Sequence, residues 1–264
     1  MVKRTNNEQS PPLKKSLRQS ASEIAIRVAL IGGVKGGTGK STCCHALIDK
    51  LLGMGRHVIL IETDTGNPDV GACYVQLNKD GTQTPIPGIE VLPMEMGTRE
   101  GFTAVIRAIE KRKYEEAYVV INSRAGNINE FQQYGAFVVA LVEQLGADAI
   151  RTMWVINPFR DSLLSLKKFV ESVPTMPVDV IMPKCWGEER HYKLFNESEI
   201  KPKLEKIGGK CLMFPVVQPD QMIGLFVDRQ NIEAQSKSAD FIGQVEIQTL
   251  RSEVDAFFTA LTEG

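Results

Sequence analysis

Eight consecutive residues, Lys35-Gly36-Gly37-Thr38-Gly39-Lys40-Ser41-Thr42, have the types and the spacing needed to bind phosphate. The glycines let several backbone N–H groups turn toward one point, and a helix that begins there directs its positive end at the same point. Lys40 is placed to reach the β- and γ-phosphates of a nucleotide, Ser41 to offer its hydroxyl to Mg²⁺, and Thr42 to lie near the α-phosphate. The run therefore predicts a phosphate-binding loop.

The start of this loop departs from the general pattern. The pattern has a glycine five places before Gly39, whereas this chain has Val34 there and an additional lysine, Lys35, directly after it. This arrangement resembles the deviant Walker A box of the ParA/MinD superfamily of partitioning and positioning ATPases. The resemblance implies ATP and Mg²⁺ as cofactors, an ATP-dependent homodimer, and a position for Lys35 across the dimer interface. A glycine-rich turn without a ligand is the alternative.

Two acids, Glu62 and Asp64, follow a second apolar run at 57–61. Ligands of an open α/β sheet lie outside the carboxyl ends of its strands, so both acids are expected to face the phosphates beside Lys40. The superfamily resemblance assigns Asp64 to positioning the attacking water and Glu62 to the magnesium side of the site. A solvated turn is the alternative for Asp64 and is our interpretation of Asp69.

A third apolar run, 117–121, ends in Asn122, where the superfamily normally has the Walker B aspartate. An amide oxygen accepts a hydrogen bond from a magnesium-bound water or from Ser41, but it carries no full negative charge to hold the ion. We therefore expect weak magnesium retention and slow ATP hydrolysis. For the following Arg124, phosphate contact and simple solvation both stay open.

The resemblance also bears on recognition of the base. Superfamily members often use an asparagine at a strand end and a loop that contains proline. The corresponding strand here ends in Pro183 and Lys184, and a later strand reaches Pro215. The resemblance thus implies that Pro183 and Pro215 pack on the adenine, while Lys184 replaces the familiar asparagine.

Apolar runs and amphipathic stretches alternate through residues 25–264, and this alternation predicts an α/β fold with a mainly parallel sheet flanked by helices. The superfamily resemblance implies that this sheet is doubly wound and that residues 25–264 form a single P-loop ATPase domain. The turn-rich stretch 67–87 is the expected mobile or partner-facing segment. Predicted strands are 26–31, 57–62, 89–92, 117–122, 150–156, 177–182 and 211–215, and predicted helices are 40–53, 98–112, 131–145, 161–172, 199–207 and 243–261.

Two segments are candidates for binding nucleic acid, since a net charge of −1 leaves any attraction to local patches. Residues 1–24 are predicted to form a flexible basic tail, with a solvated extension as the alternative. The mixed-charge stretch 184–210 is the candidate surface for nonspecific DNA, with an ordinary solvated face as the alternative. Its aromatic residues, Trp186, Tyr192 and Phe195, either anchor a partner or pack in the core.

Other features of the sequence restrict the class of protein. The five cysteines form no Cys-x-x-Cys pair and have no histidine at zinc-ligand spacing, so we expect reduced cytosolic thiols. Neither a signal peptide nor an apolar run of membrane-spanning length is recognisable, which predicts a cytoplasmic protein without a membrane partner. The closing helix has an acidic polar face, unlike the basic helices with which membrane-positioning superfamily members end.

Together these patterns lead to one functional expectation and two alternatives. We expect a ParA-like ATPase that dimerises on ATP and acts as a slow switch in plasmid partition, plasmid stability or DNA transfer, binding DNA or a partner adaptor protein in its ATP state. The first alternative is a metabolic or metal-maturation enzyme on the same scaffold. The second is a nucleotide-binding adaptor that scarcely hydrolyses ATP, because Asn122 weakens metal binding.

Overall fold

The computed structural model describes residues 27–33, 36–80 and 82–262. Its main sheet has seven strands, all of whose pairings are parallel, and helices cover both faces. The predicted doubly wound α/β fold is therefore confirmed. In chain order the strands are β1 (Arg27–Gly32), β2 (His57–Glu62), β3 (Val75–Leu77), β4 (Gln83–Pro85), β5 (Ile89–Pro93), β6 (Ala117–Asn122), β7 (Ile150–Val155), β8 (Val178–Pro183) and β9 (Cys211–Phe214).

All six predicted helices are present, with ends that differ by at most three residues from the prediction. None of the described helices combines the length and the apolar character that crossing a bilayer requires. The helices are α1 (Lys40–Gly53), α2 (Arg99–Lys111), α3 (Ile128–Leu145), α4 (Arg160–Ser172), α5 (Lys193–Asn196), α6 (Ile200–Lys206), α7 (Pro219–Phe226), α8 (Ile232–Ser238) and α9 (Phe241–Thr262).

The order of the strands, β5-β2-β6-β1-β7-β8-β9, puts β1 in the middle of the sheet. Ile31 lies opposite Asn122, and Asn122 lies opposite Glu62 on its other side. Since the three strands run parallel, the residues that follow them emerge at the same edge. The phosphate-binding loop, Glu62 and Asn122 are brought together by this register.

Each face of the sheet has its own apolar core. Helices α2 to α6 cover one face, where Phe131, Trp154 and Phe169 stack edge to face or in parallel. A side chain at Gly32 would put its Cβ 2.7 Å from the Trp154 ring, so the end of β1 can approach this cluster only as glycine. Helices α1, α7, α8 and α9 cover the other face. The closing helix, α9, therefore packs on the sheet.

The structure contains elements that the sequence patterns did not predict. Helices α5, α7 and α8 have four, eight and seven residues, too few turns to produce a clear apolar period. The stretch 67–87, expected to be mobile or partner-facing, has a buried part and an exposed part. Val70, Cys73 and Tyr74 are buried against the second core, whereas the hairpin of β3 and β4 is exposed.

Candidate functional site

The phosphate-binding loop connects the end of β1 to the start of α1 and borders a cleft of about 440 Å³ at the carboxyl edge of the sheet. Gly39 immediately precedes α1 with a φ of 104°, a conformation that favours glycine, and a Cβ there would lie 3.3 Å from Cγ of Pro183. Gly36 and Gly37 are exposed at the cleft. Lys35 lies outside the described residues, so its role stays a prediction.

Three side chains at the start of α1 line the cleft, as expected for a phosphate site. Lys40 is only 6% exposed, and this burial lowers the pKa of its ammonium, against the opposing influence of Cys44 and Asp64. Ser41 is half-buried, and the Oγ1 of Thr42 lies 3.8 Å from Sδ of Met222. Thr38 is buried. A buried ammonium beside backbone N–H groups favours an anionic ligand.

Glu62 departs from its expected position. Its carboxylate is fully buried beneath the cleft and accepts hydrogen bonds from Nδ2 of Asn122 at 2.9 Å, from the N–H of Gly71 at 3.1 Å and from the N–H of Asp64 at 3.3 Å. Burial raises the pKa of Glu62 to about 7, against the influence of these hydrogen bonds. The expectation that Glu62 faces the phosphates is corrected: it holds the residues that do.

Asn122, the last residue of β6, lines the cleft. Its Nδ2 donates to Glu62, and its Oδ1 accepts from Sγ of Cys44 at 3.4 Å. Burial raises the pKa of the Cys44 thiol well above its ordinary value, so Cys44 is present as a hydrogen-bond donor. The amide is thus held from both sides, and an acid, Glu62, lies behind it.

The segment after β2 carries two further acids at the cleft. Asp64 is half-buried, lines the cleft and accepts the N–H of Asn67 at 3.3 Å. Asp69 forms an ion pair with Arg229 at 2.9 Å, which corrects our interpretation of Asp69 as a solvated turn residue. This pair ties the segment that carries Asp64 to the connection between α7 and α8.

The opposite flank of the cleft is apolar. Pro183 and Pro215 are buried and line it, and their contact with adenine stays a prediction. Phe214, Met222 and Phe226 also line it but were missed by sequence reasoning. The four-residue spacing of Met222 and Phe226 was the available signal, and it is weak because α7 has barely two turns. Lys184 is exposed and instead borders a neighbouring hollow beside Val216 and α9.

Residues 123–125 follow β6 along the edge of the cleft. The N–H of Ser123 donates to the carbonyl of Ile31 at 3.0 Å, and the N–H of Arg124 donates to Oγ1 of Thr63 at 2.8 Å. Through these bonds the ends of β1, β2 and β6 fix each other. The side chain of Arg124 is exposed, and both of its proposed roles stay open.

The stretch 184–210 is a largely self-neutralised surface. Four of its basic side chains form ion pairs within the stretch, with N–O distances of 3.1 to 3.8 Å. Tyr192 and Phe195 are buried in the core, whereas Trp186 is partly exposed with its ring 5.6 Å from that of Phe159. The paired basic residues are Arg190, Lys193, Lys201 and Lys203.

Comparison with known proteins identifies the family of this chain. No protein-family model matches it. The protein MobD of Acidithiobacillus ferrooxidans is 30% identical over 230 residues, which cover 87% of this chain and 95% of that protein. The chain is a member of the MobD family.

Solved structures give the fold of this MobD-family protein. A putative plasmid partition protein of Borrelia burgdorferi B31, bound to AMPPNP, aligns with a TM-score of 0.55 and 14% identity over 89% of this chain and 98% of its own. The septum site-determining protein MinD of Pyrococcus horikoshii OT3, complexed with Mg-ADP, aligns with a TM-score of 0.51 and 15% identity. The alignment covers 87% of this chain and 96% of that protein. The MobD-family chain therefore has the fold of the MinD/ParA-type P-loop ATPases, as its loop predicted.

Proposed function

We propose that this MobD-family protein is an ATPase that binds Mg·ATP in the cleft, dimerises in its ATP state and acts as a slow switch in plasmid partition, plasmid stability or DNA transfer. One observation carries the proposal. Lys40, Ser41, Asp64 and Asn122 line one flank of a cleft whose other flank is apolar, which suits the phosphates and the base of a nucleotide. The proteins of the same fold that hold AMPPNP and Mg-ADP support this assignment.

The side chains at the cleft fit magnesium bound through phosphate. No group of three or more Asp, Glu, His or Cys side chains in the described residues could hold a metal ion. Mg²⁺ in nucleotide sites is commonly held by few protein ligands together with phosphate oxygens and water. Ser41 would provide a hydroxyl and Asn122 an amide oxygen. Held by these two residues, a magnesium ion would supply positive charge that compensates the charge developing on the phosphate during transfer.

Each remaining residue has a role that its position supports. Lys40 would compensate the charge of the β- and γ-phosphates, and Thr42 would lie near the α-phosphate. Asp64 would orient the attacking water, because it lines the phosphate flank with its backbone held by Glu62. Lys35 would reach the nucleotide of the second subunit in the dimer.

Hydrolysis would be slow because the metal side of the site lacks a free carboxylate. The Nδ2 of Asn122 donates to Glu62 and its Oδ1 already accepts from Cys44, which leaves one lone pair of this neutral oxygen for the ion. This arrangement also favours a second candidate, a nucleotide-binding adaptor with negligible turnover. The two candidates differ in ATP turnover with partner present: the switch accelerates, and the adaptor does not. Turnover that depends on a small acceptor molecule would instead indicate a metabolic enzyme.

The ATP state would bind nonspecific DNA, an adaptor protein, or both. Because much of the positive charge in the stretch 184–210 is paired, residues 1–24 are the better source of DNA contacts. DNA contacts of this kind release counterions, so they weaken as salt rises.

Retention of double-stranded DNA tests this proposal. The purified protein would be compared with Mg·ATP, with Mg·ADP and without nucleotide, at low and moderate salt, beside Lys40→Ala. We expect retention with ATP alone, weakening with salt and absent in Lys40→Ala. Retention in every nucleotide state would assign binding to the basic tail without a switch. If DNA is retained in none of the three nucleotide states, an adaptor protein and not DNA would be the partner.

A further inference from the structure

Helix α7 separates the nucleotide cleft from a second hollow of about 320 Å³. Met222 and Phe226 line the cleft, whereas Asp220 and Gly224 line the hollow. At 100° per residue, these two pairs lie on opposite sides of the helix. The connection after α7, helix α8 and the start of α9 complete the walls of the hollow.

Four carboxylates line this hollow, those of Asp220, Asp228, Asp240 and Glu246. Within the described part of the chain, no lysine or arginine lines it, and none of the four acids forms an ion pair. The acids do not form a metal-binding group, since the described residues contain none. The hollow therefore carries concentrated negative charge without an ion-pair partner among the described residues.

A buried amide gives independent evidence for a ligand here. Gln221 lines the hollow with only 6% of its surface exposed. Its Oε1 accepts the N–H of Gln218 at 3.2 Å, which fixes the orientation of the amide. Its Nε2 has no hydrogen-bond partner among the described residues. A buried donor of this kind calls for an acceptor such as a backbone carbonyl.

The rim of the hollow is apolar at the first turns of α9. Phe241, Ile242 and Val245 are 76%, 61% and 48% exposed and share one face of the helix. Ile242 also lines the hollow. Clustered exposed apolar side chains with a charged surround are typical of protein-binding surfaces.

We propose that the acidic hollow and its apolar rim bind a basic amphipathic segment of a partner protein. Lysine or arginine side chains of the segment enter among the carboxylates. Its apolar side chains cover Phe241 and Ile242. Nucleic acid does not fit this face, because the carboxylates repel phosphate. The inference rests on the proposed function in one respect: it identifies the bound segment as part of the proposed adaptor protein.

The position of α7 makes this surface sensitive to the cleft. The same short helix presents Met222 and Phe226 to a bound base and Asp220 and Gln221 to the partner segment. A nucleotide that shifts α7 changes both surfaces together, and by linkage the partner then changes nucleotide affinity by the same factor.

A fluorescent synthetic peptide tests the surface. The peptide would be about 16 residues long and would contain only leucine and arginine, at the spacing of an amphipathic helix. A matched control peptide would carry glutamate in place of each arginine. Binding to the full chain would be measured by anisotropy at about 150 mM salt, where exposed charges are well screened.

Two double variants remove the charge and the apolar rim separately, Asp228→Asn with Asp240→Asn, and Phe241→Ser with Ile242→Ser. Asn at 240 keeps the hydrogen bond by which Asp240 caps α9 through the N–H of Gly243. The control, Glu143→Gln with Asp148→Asn, changes the net charge equally at exposed sites elsewhere.

We expect the arginine peptide alone to bind, with affinity reduced by about tenfold or more in each hollow variant and by less than about twofold in the control. Equal losses in the control, or no binding to the parent protein, would overturn the inference. Mg·ATP binding would be measured on the same proteins. Peptide binding without ATP binding would reject the proposed function and support the binding surface. ATP binding without peptide binding would support the proposed function and reject the binding surface.

Discussion

The two flanks of the nucleotide cleft are built on different principles. The phosphate flank consists of residues at the ends of β1, β2 and β6, held by a dense set of hydrogen bonds around Glu62 and Asn122. The base flank consists of Pro183, Pro215 and the side chains of α7, which meet the cleft mainly through apolar surface. One flank is fixed by directional bonds and the other by packing.

This difference teaches where specificity resides. A polar flank with few alternative arrangements recognises charge and geometry, so it discriminates strongly between phosphate groups. An apolar flank recognises the shape and area of a base and discriminates weakly. We therefore expect changes on the phosphate flank to affect every phosphate ligand, and changes on the base flank to affect only ligands that carry a base.

The largest effect is expected for Lys40→Ala. Removing a buried ammonium that faces the phosphates should weaken binding of both ATP and tripolyphosphate by about 100-fold or more. Titration calorimetry with both ligands measures this. Lys50→Ala is the matched control, because Lys50 lies on the same helix and pairs with Asp255 away from the cleft. Loss of ATP binding with tripolyphosphate binding intact would break the distinction between the flanks.

Asn122→Asp should destabilise the protein by about 2 kcal/mol, although it introduces the acid that the superfamily resemblance leads us to expect there. The new carboxylate would replace an amide nitrogen that lies 2.9 Å from Oε1 of Glu62, so two buried acids would meet. Adding Glu62→Gln should recover most of the loss, since Gln donates to Asp. Urea unfolding of the two single variants and the double variant gives the coupling energy. Additive losses would show that Glu62 and Asn122 act independently.

His45 tests the buried side of the base flank, where its ring lies 5.8 Å from that of Phe226. Burial lowers the pKa of His45 to about 3, so the native state binds fewer protons than the unfolded state once the pH falls below about 6.5. The contribution of His45 is present above this pH and is lost as the pH falls toward 3. Lowering the pH from about 6.5 to 5 should cost about 2 kcal/mol of unfolding free energy through His45 alone.

Urea unfolding at several pH values measures this contribution. His45→Gln should flatten the pH dependence, and the control His57→Gln, at an exposed strand end, should leave it unchanged. An equally steep pH dependence in His45→Gln would assign the loss to other groups.

The smallest effect is expected for Met222→Ala. Losing apolar contact with the base should weaken ATP binding by about fivefold and leave tripolyphosphate binding unchanged. Ile223→Ala, on a different side of the same helix and 50% exposed, is the control. A comparable loss for tripolyphosphate would mean that α7 acts on the phosphate flank as well.

The phosphate flank was largely predictable from sequence because local patterns encode it. A strand, a glycine-rich loop and a helix are contiguous, and strand ends meet through parallel register. The sequence therefore predicts that Lys40, Ser41, Asp64 and Asn122 lie together, and all four line the cleft. The direction in which a side chain points was less predictable than its place in the fold. The extra methylene of Glu62 and its pairing with Asn122 turn the carboxylate inward, which a chain pattern does not reveal.

The base flank was only partly predictable because distant, short elements form it. The prolines were predicted through resemblance, but α7 has eight residues and its apolar side chains divide between the cleft, as for Met222, and the core, as for Leu225. Asp69 was misread for a similar reason. Its partner, Arg229, is 160 residues away in the chain, and only the fold brings the two together.

Molar mass by light scattering tests the central claim most directly, that ATP in this cleft switches the protein between monomer and dimer. The parent protein would be measured with Mg·AMPPNP and with Mg·ADP, beside Lys35→Ala. The account predicts a doubled mass for the parent with AMPPNP alone, and a monomer for Lys35→Ala although it still binds the nucleotide. The same mass with both nucleotides in the parent, or full dimerisation of Lys35→Ala, would contradict it.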